Sequence, residues 1–359
     1  DLRGAFAAYQ EVVERDPGDE RATEALERLG RQPEMALEVV DVLERAYRDT
    51  GAMDKVAGLY DIRIELADSE GERVRLLQEA AQLWENDLGQ PAKALEALRK
   101  AFLVDPRDLA ILDDVDRLAG ATGEWESLRG LVEAVIDEGG LDRMLSRDLE
   151  MRAAGWYRDR LGDLEAAEAR LRGAVGADPD SLEAHAELVE LLRAMDGREA
   201  ELVAALREWA KVELDEEARK ARLREAATLS ESVLHDPAMA AQCLLSILEA
   251  DPTESEALAE LTRIREAQEK WGEVVRLLER RIEAAFDVEH RKELRRKLAF
   301  VLAEKLEDTR RATEAWEGLL DEDPDSMEAM DALQGIYEGA ERWDDLSLLL
   351  EPRSPHDRA

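Results

Sequence analysis

Apolar residues return along this chain at three- and four-residue spacing, as from Val189 to Arg193 and from Val274 to Leu278, and no run alternates Val, Ile or Thr with polar residues. That pattern predicts amphipathic helices and no strands. Six Asp-Pro pairs punctuate it, and four of the prolines, Pro106, Pro179, Pro252 and Pro324, are separated by 73, 73 and 72 residues. Proline has no amide hydrogen and cannot continue a helix, so each pair marks a joint. Measured back from these joints, the apolar columns hold. Eighteen residues back stand Leu88, Leu161, Leu234 and Leu306, and twenty-five back stand Ala81, Ala154, Ala227 and Ala299. Small residues at fixed places among large ones are what closely crossing helices need. A long fixed period predicts a stack of similar units, each burying one face against the next, whose product is an extended surface and not a pocket.

The run Gly89, Ala94, Leu98, Ala101, Pro106 and its counterpart Gly162, Ala167, Leu171, Ala174, Pro179 place a turn Gly, a small residue, a bulky one, a small one and a closing Pro at the same spacing. In this the chain resembles the second half of the tetratricopeptide repeat. Ala5, Tyr9, Val12 and Pro17 fit the last helix of such a unit. Later copies depart from the pattern: His235 and Glu307 replace the turn Gly, and Ile247 and Leu319 fill the second small position. A second helix pair alternates with the first and doubles the usual period of about 34 residues. Its marks are Val115 and Leu118, Leu261 and Ile264, Leu333 and Ile336, followed by Trp125, Trp271 and Trp343. Arg198 stands in the tryptophan column after Pro179, and Met53 fills it in the first copy. Tryptophans in register read as wedges between helices.

The expected fold is therefore all-α, a right-handed α-solenoid of tetratricopeptide-like helix pairs with about 20 helices and a double-pair period of about 73 residues. One continuous array over 1–351 divides into 1–17 (partial), 18–105, 106–178, 179–251, 252–323 and 324–351 (partial), with a tail or linker over 352–359. The 18–105 unit carries one surplus helix near Glu20 to Gly30, expected to bend or offset the superhelix. What the resemblance implies is peptide or protein binding along a concave face made by the first helix of each pair, on 71–87, 143–160, 216–233 and 288–305. Trp156 beside Tyr157 is expected to reach that groove, because one of two adjacent helix residues points away from the face the other covers.

Charge narrows the partners. With 86 acidic against 49 basic residues the net charge is −37. Nucleic acid needs a positive groove to replace its counterions, and the densest basic cluster, Arg291, Lys292, Arg295, Arg296 and Lys297, has Glu289 and Glu293 among it at helical spacing, which predicts a salt-bridged face. Anionic membrane surfaces are disfavoured likewise, and no apolar stretch is long enough for membrane insertion. An acidic face would attract a basic peptide or protein segment; solubility explains the same charge without a partner.

Chemistry-bearing clusters do not assemble. Cys243 falls between the small Ala240 and the large Leu244, a packing position, and a lone cysteine allows no intrachain disulfide, which fits a cytoplasmic or a disulfide-free periplasmic setting. His185, His235, His290 and His356 lie in different units or the tail, without ligand spacing. The acidic stretch Asp321 to Asp325 lacks the Gly and distal Glu of a calcium loop, and no Gly-rich phosphate loop occurs. The sequence thus assigns no catalytic residue, metal or cofactor. It reads as a non-enzymatic protein-interaction scaffold presenting an extended acidic helical surface to a protein or peptide. The alternative is a structural subunit that self-associates end to end into a filament, since neither end shows a clearly polar capping helix. Arg over Lys and the Ala richness resemble large repeat proteins of high-GC bacteria, and a start inside a repeat's second helix reads as part of a longer protein.

Overall fold

The computed structural model describes residues 2–350, which form 20 α-helices and, among the described residues, no strand. The tail expected over 352–359 lies outside them. The chain divides at Pro179 into two compact units. The first holds α1 (Leu2–Arg15), α2 (Glu20–Leu29), α3 (Ala36–Asp49), α4 (Met53–Glu65), α5 (Glu70–Gln82), α6 (Pro91–Val104), α7 (Leu109–Thr122), α8 (Leu131–Glu138), α9 (Arg143–Gly155) and α10 (Leu164–Ala177). The second holds α11 (Leu182–Ala194), α12 (Glu199–Val212), α13 (Glu216–Ser232), α14 (Pro237–Ala250), α15 (Ser255–Ala267), α16 (Trp271–Ala284), α17 (Val288–Phe300), α18 (Thr309–Glu322), α19 (Met327–Gly339) and α20 (Trp343–Leu350). Within each unit consecutive helices pack as neighbours, except that α8 packs on α6 and α9 and not on α7.

The Asp-Pro joints end α6, α10, α14 and α18 in the same way. The N–H of Asp105, Asp178, Asp251 and Asp323 donates to the carbonyl four residues earlier, closing the last turn before Pro stops the helix. In three copies the aspartate is also held from the side, with Arg147 on Asp178 at 3.1 Å, Lys220 on Asp251 at 3.1 Å and Lys292 near Asp323 at 3.9 Å. The first copy has Val74 where those cations stand.

Between the two helices of each such pair the turn is one geometry repeated. The N–H groups of Gln90, Asp163, Asp236 and Asp308 donate to the carbonyls of Trp84, Tyr157, Ser230 and Leu302, at 2.7 to 2.9 Å. This six-residue closure requires a left-handed residue at the turn. Gly89 and Gly162 supply it with φ of 61° and 67°; His235 and Glu307 are forced into it at 53°. The helix before the turn widens into a π-turn over Leu83–Asp87, Trp156–Leu161 and Val301–Lys305.

The core follows the apolar columns. Ala81, Ala154, Ala227 and Ala299 are all buried, as are Ala94, Ala167, Ala240 and Ala312. The first unit's core gathers Leu26, Val39, Leu43, Val56 and Leu76, so α2, spanning the surplus stretch near Glu20, is packed into it through Ala22 and Leu26. Leu278, Leu298, Leu302, Trp316 and Leu333 form the corresponding cluster of the second unit. Trp271 is half-buried against that cluster, while Trp343 is exposed.

Candidate functional site

Trp156 and Tyr157 do not reach a groove. Both are buried, at 5% and 6% exposure, which corrects the expectation that one of them faces outward. Trp156 Nε1 donates to Asp116 of α7 at 2.5 Å, and Tyr157 Oη donates to Glu133 of α8 at 3.0 Å. The reason is local. This first helix is flanked on two sides, by α7 and α8, and the π-turn at Trp156 swings adjacent side chains toward different neighbours, so covering one does not expose the next. Arg152, one turn earlier, reaches Asp113 and Asp116 at 2.5 and 2.7 Å, and Arg129 sits over the Tyr157 ring at 5.3 Å. The pair is structural glue between helices.

Beside it lies a buried carboxylate that the sequence reading missed. Glu150 of α9 is 6% exposed and faces Arg170 of α10 at 3.2 Å; Arg170 also approaches Glu133 at 3.8 Å. Loss of water on burial outweighs the attraction of Arg170 and, with Glu133 adding repulsion, pushes the Glu150 carboxyl up to about 7. Its room comes from Gly173, where a Cβ would run into the carboxylate. The second unit repeats the device: Arg295 stands in the same column, 29 residues before its joint proline, and a Cβ on Gly318 would lie 2.7 Å from its guanidinium. The other two copies place Leu77 and Leu223 there, both buried, with Lys100 and Ser246 in the glycine column. A polar residue enters the core column only where a glycine opposite makes space.

Across the seam between successive first helices, ion pairs join residues about half a period apart in sequence. Arg117 grips Glu85 at 2.5 Å, and Arg263 grips Glu231 at 2.5 Å. The Arg291 to Lys297 cluster is salt-bridged as expected, but mostly to neighbouring helices: Arg291 to Glu322, Arg296 to Glu328 and Lys297 to Glu266 are each at 2.6 Å, with only Lys292 on Glu289, at 2.9 Å, within the helix. Leu214 and Phe286, on the loops leading into α13 and α17, are 92% and 99% exposed.

Cys243 is fully buried, and burial pushes its thiol above the usual range, away from the thiolate that reactivity requires. His185 is buried in α11, and His235 forms the strained turn before α14. The concavities on the surface include open grooves between helices, one of ≈ 140 Å³ beside Val13 and Val42 and one of ≈ 620 Å³ beside Trp316 and Ile336. Such geometry can bind; it does not enclose a small substrate. No described helix is long and apolar enough to cross a membrane.

In its helix pairs and their turns the chain is similar to tetratricopeptide repeat proteins. Solved structures with this likeness include the C-terminal part of a TPR repeat-containing protein from Cytophaga hutchinsonii, at 14% identity over 73% of this chain and 99% of that one, with a TM-score of 0.31. Another is YrrB, a TPR protein with an unusual peptide-binding site, at 16% identity over 56% of this chain and 97% of that one, with a TM-score of 0.28. A third is the Naa15/Naa10 structure bound to HypK-THB, at 14% identity over 99% of this chain and 64% of that one, with a TM-score of 0.33. No protein-family model and no curated protein matches the sequence.

Proposed function

We propose that the chain is a non-enzymatic protein-interaction scaffold whose acidic helical surface receives a basic protein or peptide segment. The observation that carries this reading is the contrast between what repeats and what does not. Buried columns are held from copy to copy, as in Ala81, Ala154, Ala227 and Ala299, while the seam above them is closed by a Glu–Arg pair at Glu85 with Arg117 and at Glu231 with Arg263 but carries Ala303 with Gly335 in the last copy. A constant core under a variable, open seam is what a recognition surface built on a repeated frame requires. The net charge of −37 sets the sign of the partner, because a basic segment is drawn to it and an acidic one repelled.

A second reading, end-to-end self-association, draws on the outermost helices. Trp343, Leu348 and Leu350 of α20 are exposed, as are Leu2 and Val12 of α1. Analytical ultracentrifugation across a range of salt separates the two. The scaffold stays monomeric as salt screens its charge, whereas sedimentation that speeds up with concentration at high salt supports the polymer.

A further inference from the structure

Resting on the scaffold reading, we infer that the groove between α17, α18 and α19 is the docking site for an apolar side chain flanked by Lys or Arg, presented by another protein. The argument comes from an internal comparison. In the groove one unit earlier, lined by α13, α14 and α15, Glu231 and Arg263 close the seam as an ion pair over Leu244 and Ile264, and its volume is ≈ 370 Å³. At the corresponding positions, counted from Pro252 and Pro324, the later groove has Ala303 and Gly335 instead, over Trp316 and Ile336. The ion pair is gone, the floor is larger and more apolar, and the volume rises to ≈ 620 Å³.

Two further features point outward. Phe300, which replaces Thr228 in this comparison, stands at the lip with 53% exposure. Glu304 and Asp331 line the groove beside the opening, and among the described residues neither carboxylate has an ion-pair or hydrogen-bond partner. An occupant that covers Trp316 and Ile336 strips water from both carboxylates, so it must bring its own cations. A second copy of this chain is a poor candidate, since two chains of net −37 repel.

The test restores the pair seen in the sister copies. Ala303→Glu with Gly335→Arg closes the groove without endangering the fold: a Cβ on Gly335 meets nothing within 4 Å, and Arg is a better helix former than Gly. A thermal melt no lower than wild type establishes that the variant is folded. The probe is a fluorescein-labelled peptide, Arg-Arg-Leu-Phe-Arg-Arg, with Arg-Arg-Ser-Gly-Arg-Arg as its control, read by polarisation at physiological salt. The Leu-Phe peptide should bind wild type and bind the double variant about tenfold or more weakly, with the Ser-Gly peptide weak on both. Equal binding of the Leu-Phe peptide to wild type and variant overturns the groove assignment and leaves the scaffold standing on another surface. Equal binding of both peptides shows diffuse charge attraction and overturns it too. So does a wild-type dimer that the double variant breaks, or a wild type that binds neither peptide; cross-linking in cells then decides the scaffold reading separately.

Discussion

His235 and Glu307 hold the left-handed turn that Gly89 and Gly162 hold in the earlier copies, at φ of 53° against 61° and 67°. A residue with a Cβ pays about 1–2 kcal/mol to sit there, because Cβ crowds the following carbonyl. Glycine avoids that cost but loses about 0.5–1 kcal/mol through its greater freedom in the unfolded chain. The difference predicts a net gain of about 0.5–1 kcal/mol for His235→Gly. Both side chains are exposed and, among the described residues, neither makes a hydrogen bond or ion pair that glycine would forfeit. Glu307→Gly should gain somewhat less, because its charge lies beside the N-terminus of α18, where the helix dipole favours an anion by about 0.3–1 kcal/mol. The two turns lie far apart in sequence and share no partner, so the gains should add. Urea unfolding followed by far-UV circular dichroism reads the effect as a higher midpoint at unchanged slope. The reciprocal changes, Gly89→His and Gly162→Glu, should cost about 0.5–1 kcal/mol net, the backbone strain less the freedom removed from the unfolded chain, since a Cβ at either glycine meets nothing within 4 Å. A destabilised His235→Gly, or a Gly89→His variant as stable as wild type, would refute the claim that the four turns are one geometry.

Other consequences follow from the buried carboxylate and the exposed loops. Glu150 has its folded-state value raised from near 4.5 to about 7, so its contribution to stability is fully present below about 4.5 and is lost as pH rises through 7. That loss is worth about 3 kcal/mol, and the difference between wild-type and Glu150→Gln stability curves from pH 4 to pH 8 should show it as a slope present only in wild type. Gly173→Ala should cost about 1–3 kcal/mol in chemical denaturation by driving Cβ into that carboxylate, and much less in a Glu150→Leu background, where the site carries the leucine of Leu77 and Leu223. Phe286→Ser should leave the thermal midpoint within the error of a surface substitution, about 0.5 kcal/mol, because the ring touches solvent and not the core.

Much of this architecture was legible in the sequence, for a physical reason. Helix-on-helix packing is written in spacing, so the Ala and Leu columns that recur before Pro106, Pro179, Pro252 and Pro324 mark the buried faces that the structure contains. The turn column was half-read: Gly89 and Gly162 announced it, and only the backbone reveals that His235 and Glu307 adopt the same conformation. A second left-handed column, Gly51, Gly123, Glu269 and Glu341, stands two residues before Met53, Trp125, Trp271 and Trp343 and could have been found by the same counting. Trp156 and Tyr157 misled because adjacency on an ideal helix was taken to fix opposite fates, whereas this helix has neighbours on two sides and a π-turn. Glu150 could have been flagged, like Arg295, as a polar member of the column that holds Leu77 and Leu223, with a glycine 23 residues later, at Gly173; which cation would meet it depends on the crossing of α9 and α10, and that lies beyond residue spacing.

The central claim, that this surface exists to receive another protein, is tested most directly by cross-linking mass spectrometry in the native cells. Carboxylate-reactive reagents suit a chain with 86 acidic residues. The account predicts a second protein, in stoichiometric amount, joined through its basic segment to positions on α5, α9, α13, α17 or the groove beside Trp316. Cross-links that join only copies of this chain to one another, with no second protein on those helices, would contradict it.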